Sequence, residues 1–106
     1  MAEKIENLDV ENFDNFMKEG NVIVDFYADW CGPCKTMAPE FEKASKENEN
    51  IKFGKVNIEH NQELAGRFSV MSIPTIILLK NGEQVDRHTG PLKSEEIREM
   101  FDKNFN

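Results

Sequence analysis

Positive charge is in short supply in this 106-residue chain: 13 lysines and arginines stand against 20 aspartates and glutamates, a formal net charge of −7. Phosphate binding needs a basic stripe and none is visible, so nucleic acid is excluded as a partner. The same balance disfavours anionic membrane surfaces and favours a monomer. Long apolar runs are also missing. None approaches the roughly 20 residues of a membrane helix. The opening stretch MAEKIENLDV lacks the basic start and apolar core of a signal peptide, which points to the cytoplasm. With no internal repeat and no low-complexity linker, one domain over residues 1–106 is expected. Cysteine is scarce too: Cys31 and Cys34 are the whole supply. In a reducing cytosol a permanent bond between them is not expected, which turns attention to metal or redox chemistry.

What the chain does have is alternation between apolar strand runs and helix-period stretches. A short strand around residues 4–7 precedes a helix with Val10, Phe13, Phe16 and Met17 on one face, stopped by Gly20. VIVDFYA (22–28) reads as a strand buried on both faces. After the cysteines, Met37, Ala38, Phe41 and Ala44 form a helical stripe, with Pro39 expected to kink it. IKFGKVNI (51–58) is a further strand, and Leu64, Ala65 and Phe68 mark a short helix. TIILL (75–79) is an apolar strand, and Asn81-Gly82 turns it into a hairpin with residues 83–89. Ile97, Met100, Phe101 and Phe105 give the inward face of a closing helix. Strands alternating with helices, then a hairpin, imply an α/β fold: a mixed sheet between helices.

The thiols sit in DWCGPCK (29–35). Structural zinc takes four ligands, and the other soft candidates are His60 and His88, so a site would need all four residues to converge. C-x-x-C alone has both metal and redox readings. Both histidines are expected at the surface, which disfavours the metal reading. A structural staple fails on magnitude, because closing so short a loop contributes only ~2 kcal/mol. The redox reading has a mechanism. If a helix starts near Cys31, the cysteines lie i,i+3 on one face, about 5–6 Å apart at Cβ. The helix N-terminus favours a thiolate, and Pro33 fits a first turn whose amide needs no partner. Cys31, at the tip, is expected to be the exposed nucleophile, and Cys34 the more buried resolving thiol.

VDFYADWCGPCK (24–35), FSVMSIPT (68–75), LKNGE (79–83) and TGPL (89–92), in that order, make the chain similar to the thioredoxin family over nearly its whole length. The resemblance implies a central five-stranded mixed sheet flanked by four helices. It also implies a protein-disulfide reductase in which Cys31 attacks a substrate disulfide and Cys34 resolves the mixed disulfide, leaving Cys31 and Cys34 bonded to each other. A thioredoxin reductase would restore the dithiol; disulfide-containing proteins would be its targets; no cofactor or metal is called for. Tyr27 stands where many relatives have tryptophan, and Glu59 where aspartate is frequent; both are expected to tune the site.

Other residues carry a bland reading beside the functional one. Asp25 interrupts an apolar run and is either a carboxylate satisfied by backbone or water, or a buried acid that takes the Cys34 proton, as the family position implies. Lys55 is a solvated strand lysine or, by resemblance, a modulator of Asp25. Pro74 is a strand opener or, as the family implies, a cis proline facing the thiols, with Ile73 offering backbone groups to an extended substrate. Trp30, Gly32, Pro33, Met71, Pro74, Gly90 and Pro91 are packing and turn residues singly, and together an uncharged collar for docking polypeptides. KENEN (46–50) reads as a solvated helix end. Two competing functions share the fold. A more oxidising oxidase or isomerase is disfavoured by the Gly-Pro between the cysteines. A binding or chaperone subunit with idle thiols would tolerate loss of either cysteine, yet both stand here with Asp25 and Ile73-Pro74.

Overall fold

Apolar, β-branched NVIVDFY forms the central strand β2 (Asn21–Tyr27), whose residues Val22 through Phe26 are all buried. The computed structural model describes residues 4–105; residues 1–3 of the opening stretch and Asn106 lie outside it. Around β2 the chain runs β1 (Ile5–Asn7), α1 (Phe13–Met17), β2, α2 (Gly32–Glu47), β3 (Lys52–Asn57), α3 (Gln62–Arg67), β4 (Thr75–Lys80), β5 (Glu83–Thr89) and α4 (Ser94–Asn104). The strands form one sheet in the order β1-β3-β2-β4-β5. β3 pairs in parallel with β1 and β2, whereas β4 is antiparallel to both β2 and β5. This is the mixed sheet between helices that the alternation implies, with the five strands and four helices that the family resemblance implies.

Alternation along β2 and β4 divides the core into two layers. On one face Ile23, Ile76, Leu78 and Phe53 pack against Met37, Phe41 and Ala44 of α2 and Ile97 and Phe101 of α4. On the other, Val22, Val24, Phe26, Val56, Ile77 and Leu79 pack against Phe13 of α1 and Leu64 of α3. Asp25 shares the Ile23 face, so its carboxyl is carried to the α2 side of the sheet. The β4–β5 hairpin turns at Asn81 and Gly82, φ +50° and +87°, as a two-residue primed turn requires. Asn81 also joins this turn to the start of β2: its Oδ1 accepts from the Gly20 N–H at 2.8 Å and its own N–H donates to the Gly20 carbonyl at 3.0 Å.

Two expectations about helix faces are corrected. Val10 is 49% exposed and lies ahead of α1, not on its inner face. The Asp9 carboxylate accepts from the Glu11 and Asn12 amides, and Asn12 Oδ1 accepts from the Asp9 amide. This closed turn delays the helix until Phe13 and leaves Val10 outside. Ala38 faces solvent as well, because the buried stripe of α2 runs through Cys34, Met37, Phe41, Ala44 and Ser45, and Ala38 falls one residue round the helix from it. α2 runs on through Pro39, which also faces solvent.

Candidate active site

The last residue of β2 delivers the chain to a short turn, with the Cys31 amide donating to the Ala28 carbonyl at 3.3 Å. Cys31 has extended backbone (φ −89°, ψ 114°) and is the N-cap of α2, with Gly32 and Pro33 in the first turn. A cysteine takes the place of the usual serine or aspartate cap. The Cys34 N–H donates to Cys31 Sγ at 3.2 Å, so a free helix-end amide points at that sulfur. The two sulfurs are joined in a disulfide with the Cα atoms 5.3 Å apart, as the i,i+3 placement allows.

Cys31 is buried, 4% exposed against 5% for Cys34, so the expected contrast between an exposed and a buried thiol is corrected. Its cover comes from distant chain. Ile73, Ile58 and Tyr27 pack on the small cluster of Ala28, Cys31 and Cys34, and Cys31 Sγ approaches the Ile73 carbonyl oxygen at 3.9 Å. Cys31 nevertheless lines a groove of about 440 Å³. Trp30, Gly32 and Pro33 form one wall and Met71 and Ile73 the other. Trp30 is 65% and Met71 91% exposed, the most open large apolar side chains among the described residues. Ile58, Val70 and Ser72 complete the lining and were not anticipated; Val70 and Ser72 lie inside FSVMSIPT, while Ile58 carried no signal beyond strand alternation.

The Ile73–Pro74 peptide is cis, and Pro74 is buried behind the groove. Gly90 and Pro91 are not among the lining residues. Gly90 braces the proline from behind: its N–H donates to the Pro74 carbonyl at 2.8 Å, with φ +111°, where a side chain would be strained. Glu59 accepts the Trp30 indole N–H at 2.7 Å and so anchors the most exposed aromatic of the rim.

Asp25 is 6% exposed and its Oδ1 has no hydrogen-bond partner. Burial raises its pKa from 3.8 to about 7, opposed by the nearby Lys55 ammonium. Lys55 is the register partner of Asp25 on β3, half-buried, with Nζ 5.8 Å from the centroid of the Tyr27 ring. His60 and His88 are both exposed.

The sequence model of the thioredoxin family matches residues 4–103. The chain belongs to the thioredoxin family. A thioredoxin of Chlamydia pneumoniae is 42% identical over 93 residues, 88% of this chain and 91% of its own length. One from Bacillus subtilis is 41% identical over 96 residues, covering 90% and 92%. Thioredoxin C-3 of Corynebacterium nephridii is 40% identical over 98 residues, covering 91% of this chain and 68% of its own. Thioredoxin-family members are protein-disulfide oxidoreductases, and this chain is a thiol-disulfide oxidoreductase with its cysteine pair placed for exchange. Membership implies disulfide-bearing target proteins and a reductase as partners in general. Among the described residues no helix is long and apolar enough to cross a membrane.

Proposed function

We propose that the chain is a single-domain, monomeric, cytoplasmic protein-disulfide reductase, restored after each turnover by a thioredoxin reductase. Cys31 thiolate attacks one sulfur of a target disulfide, forming a mixed disulfide and releasing the other target sulfur as a thiolate. Cys34 then gives its proton to the Asp25 carboxylate and attacks Cys31 Sγ. The mixed disulfide breaks, the second target thiolate leaves, and the Cys31–Cys34 bond forms, so two electrons have passed to the target. Asp25 suits this step because its pKa of about 7 allows it to hold or yield a proton near neutrality. Lys55 limits how far burial can raise that value.

Docking falls to the groove. Trp30, Gly32 and Pro33 present an uncharged wall, and the Ile73 backbone beside cis Pro74 can pair with an extended target segment. Gly90 supports Pro74. The observation that carries this reading is the Cys34 amide aimed at Cys31 Sγ at 3.2 Å, at the start of a 16-residue helix. It favours negative charge on that sulfur both while it attacks and while it leaves.

The test is trapping. Cys34→Ser is expected to accumulate mixed disulfides with target proteins, and Cys31→Ser to form none and lose reductase activity. In the reduced protein, alkylation at neutral pH is expected to modify Cys31 at least several-fold faster than an ordinary free thiol. A Cys31 no faster than a free thiol, or a Cys34→Ser variant with undiminished turnover, overturns the reading.

A further inference from the structure

Tyr27 and Asp25 are two residues apart on β2 and therefore point to the same face of the sheet. Directly opposite them on β3 are Asn57 and Lys55. The Lys55 ammonium lies over the Tyr27 ring, 5.8 Å from its centroid. Asp25 and Lys55, although neighbours in register, are not in ion-pair contact, and Asp25 Oδ1 has no partner. The cation is thus held by an aromatic face beside the acid, not upon it.

We propose that Tyr27 is a positioning residue, whose ring holds the Lys55 ammonium at a set distance from Asp25 and thereby sets the pH at which that carboxyl changes charge. A ring face attracts an ammonium electrostatically, within about 6 Å of the centroid. Lys55 is half-buried and flexible; without the ring its ammonium gains hydration by extending into solvent, away from the carboxyl. The other groups on this face leave the pair to dominate. β4 offers the apolar Ile76 opposite Asp25, and α2 offers Met37 and the Cys34 sulfur, uncharged in the disulfide. α4 adds Ile97 and Phe101 to the same layer. The Tyr27 phenol itself stays neutral here, since burial and then Asp29 raise its pKa above the ordinary 10.0.

This inference deepens the proposed role of Asp25 as proton acceptor and rests on it for its catalytic meaning, but the measurement does not. In the oxidised protein neither cysteine titrates, so carboxyl-carbon NMR can follow Asp25 alone. Tyr27→Leu is expected to raise the Asp25 midpoint by about half a pH unit, because a ring–cation attraction at a part-exposed site is worth less than a decade. Tyr27→Phe, which keeps the ring, is expected to leave the midpoint in place. Lys55→Met is expected to raise it at least as far, and adding Tyr27→Leu to Lys55→Met to raise it no further. The sign separates this from plain packing. A ring that only shielded Asp25 would, on removal, admit water and lower the midpoint. A lowered or unmoved midpoint in Tyr27→Leu, or an additive double variant, overturns the proposal. The pH profile of the reduced protein's turnover, measured alongside, tests the proton-acceptor reading separately: a profile indifferent to the Asp25 midpoint rejects that role and leaves the ring–cation coupling as measured.

Discussion

Arg87 reaches from β5 to the loop after α3, where its Nη1 donates to the Phe68 carbonyl at 2.8 Å and its Nη2 to the Ser69 carbonyl at 3.4 Å. Those carbonyls belong to the closing turn of a six-residue helix, where the Ser69 and Val70 amides donate back to the Gly66 and Ala65 carbonyls and Ser69 holds a left-handed φ of 54°. The guanidinium therefore ties down the chain that goes on to supply Val70, Met71 and Ser72 to the groove. Arg87→Met is expected to cost about 1 kcal/mol of stability in urea unfolding, as two part-exposed charged hydrogen bonds are lost. It is expected to raise KM for a protein disulfide several-fold with kcat nearly unchanged. Arg87→Lys would restore little, because one ammonium cannot span both carbonyls. A kcat loss with KM unmoved would show that the loop is not what Arg87 governs.

Glu59 bears on the opposite wall. With its carboxylate accepting the Trp30 indole N–H at 2.7 Å, the exposed ring is held at the edge of the groove instead of swinging in solvent. Glu59→Ala is expected to lower the steady-state fluorescence anisotropy of Trp30, the chain's single tryptophan, and to reduce kcat/KM several-fold. Glu59→Gln, which keeps an acceptor, is expected to stay near the parent on both measures. Equal anisotropy in all three proteins would mean the bond does not order the ring.

How much of this could be read from the sequence follows from the range of the interactions involved. β2 and β4 were legible because central strands bury both faces and so appear as unbroken apolar runs. The Asn81-Gly82 turn was legible because its backbone demands those residue types. Cys31, Pro33 and Cys34 declared a helix start through local spacing, and the order of motifs around Ile73-Pro74 tied them to a family. Burial of Cys31 was not legible, since its cover includes Ile73, 42 positions away. The Trp30–Glu59 bond spans 29 positions, and Glu59 was noted only as a departure from the family's pattern. Gly90 belongs to the expected collar as an uncharged residue, but its contact in the structure is through its amide, to which side-chain patterns give no clue. Val10 failed for a local reason: its spacing fits the α1 face, but the Asp9–Asn12 turn competes with helix and wins.

Gly54 gives a prediction the pattern of a strand would not suggest. It is buried in the middle of β3, where a Cβ would lie 2.5 Å from Leu8 Cδ1 and 3.1 Å from Phe16 Cε2. Leu8 is itself buried in the layer under α1, so it cannot retreat without disturbing the core. Gly54→Ala is expected to destabilise the protein by about 1–3 kcal/mol despite alanine's better strand entropy. Urea unfolding with an unchanged m-value would register it as a lowered midpoint. A variant as stable as the parent would mean that Leu8 repacks freely.

Asp25 links stability and turnover, and its two effects should run in opposite directions on substitution. The folded protein raises its pKa from 3.8 to about 7, chiefly through burial and against the pull of Lys55. Below the unfolded pKa both states hold the proton and the group is neutral to folding. Between the two values the folded state keeps a proton that the unfolded state has released, so stability falls as pH rises. Above about 7 the full penalty applies, roughly 4 kcal/mol for a shift of this size. Asp25→Asn carries no charge to bury, although its amide inherits an unpartnered site. It is therefore expected to stabilise the protein at pH 8 by about 2–4 kcal/mol, with the gain shrinking as pH falls and vanishing near pH 4. Urea midpoints measured from pH 4 to 8 would trace that slope. The same variant is expected to slow disulfide reduction at least tenfold, since the Cys34 proton loses its acceptor. A stability gain independent of pH would assign the effect to packing, and one absent at pH 8 would mean that Asp25 is ionised in the folded protein at little cost.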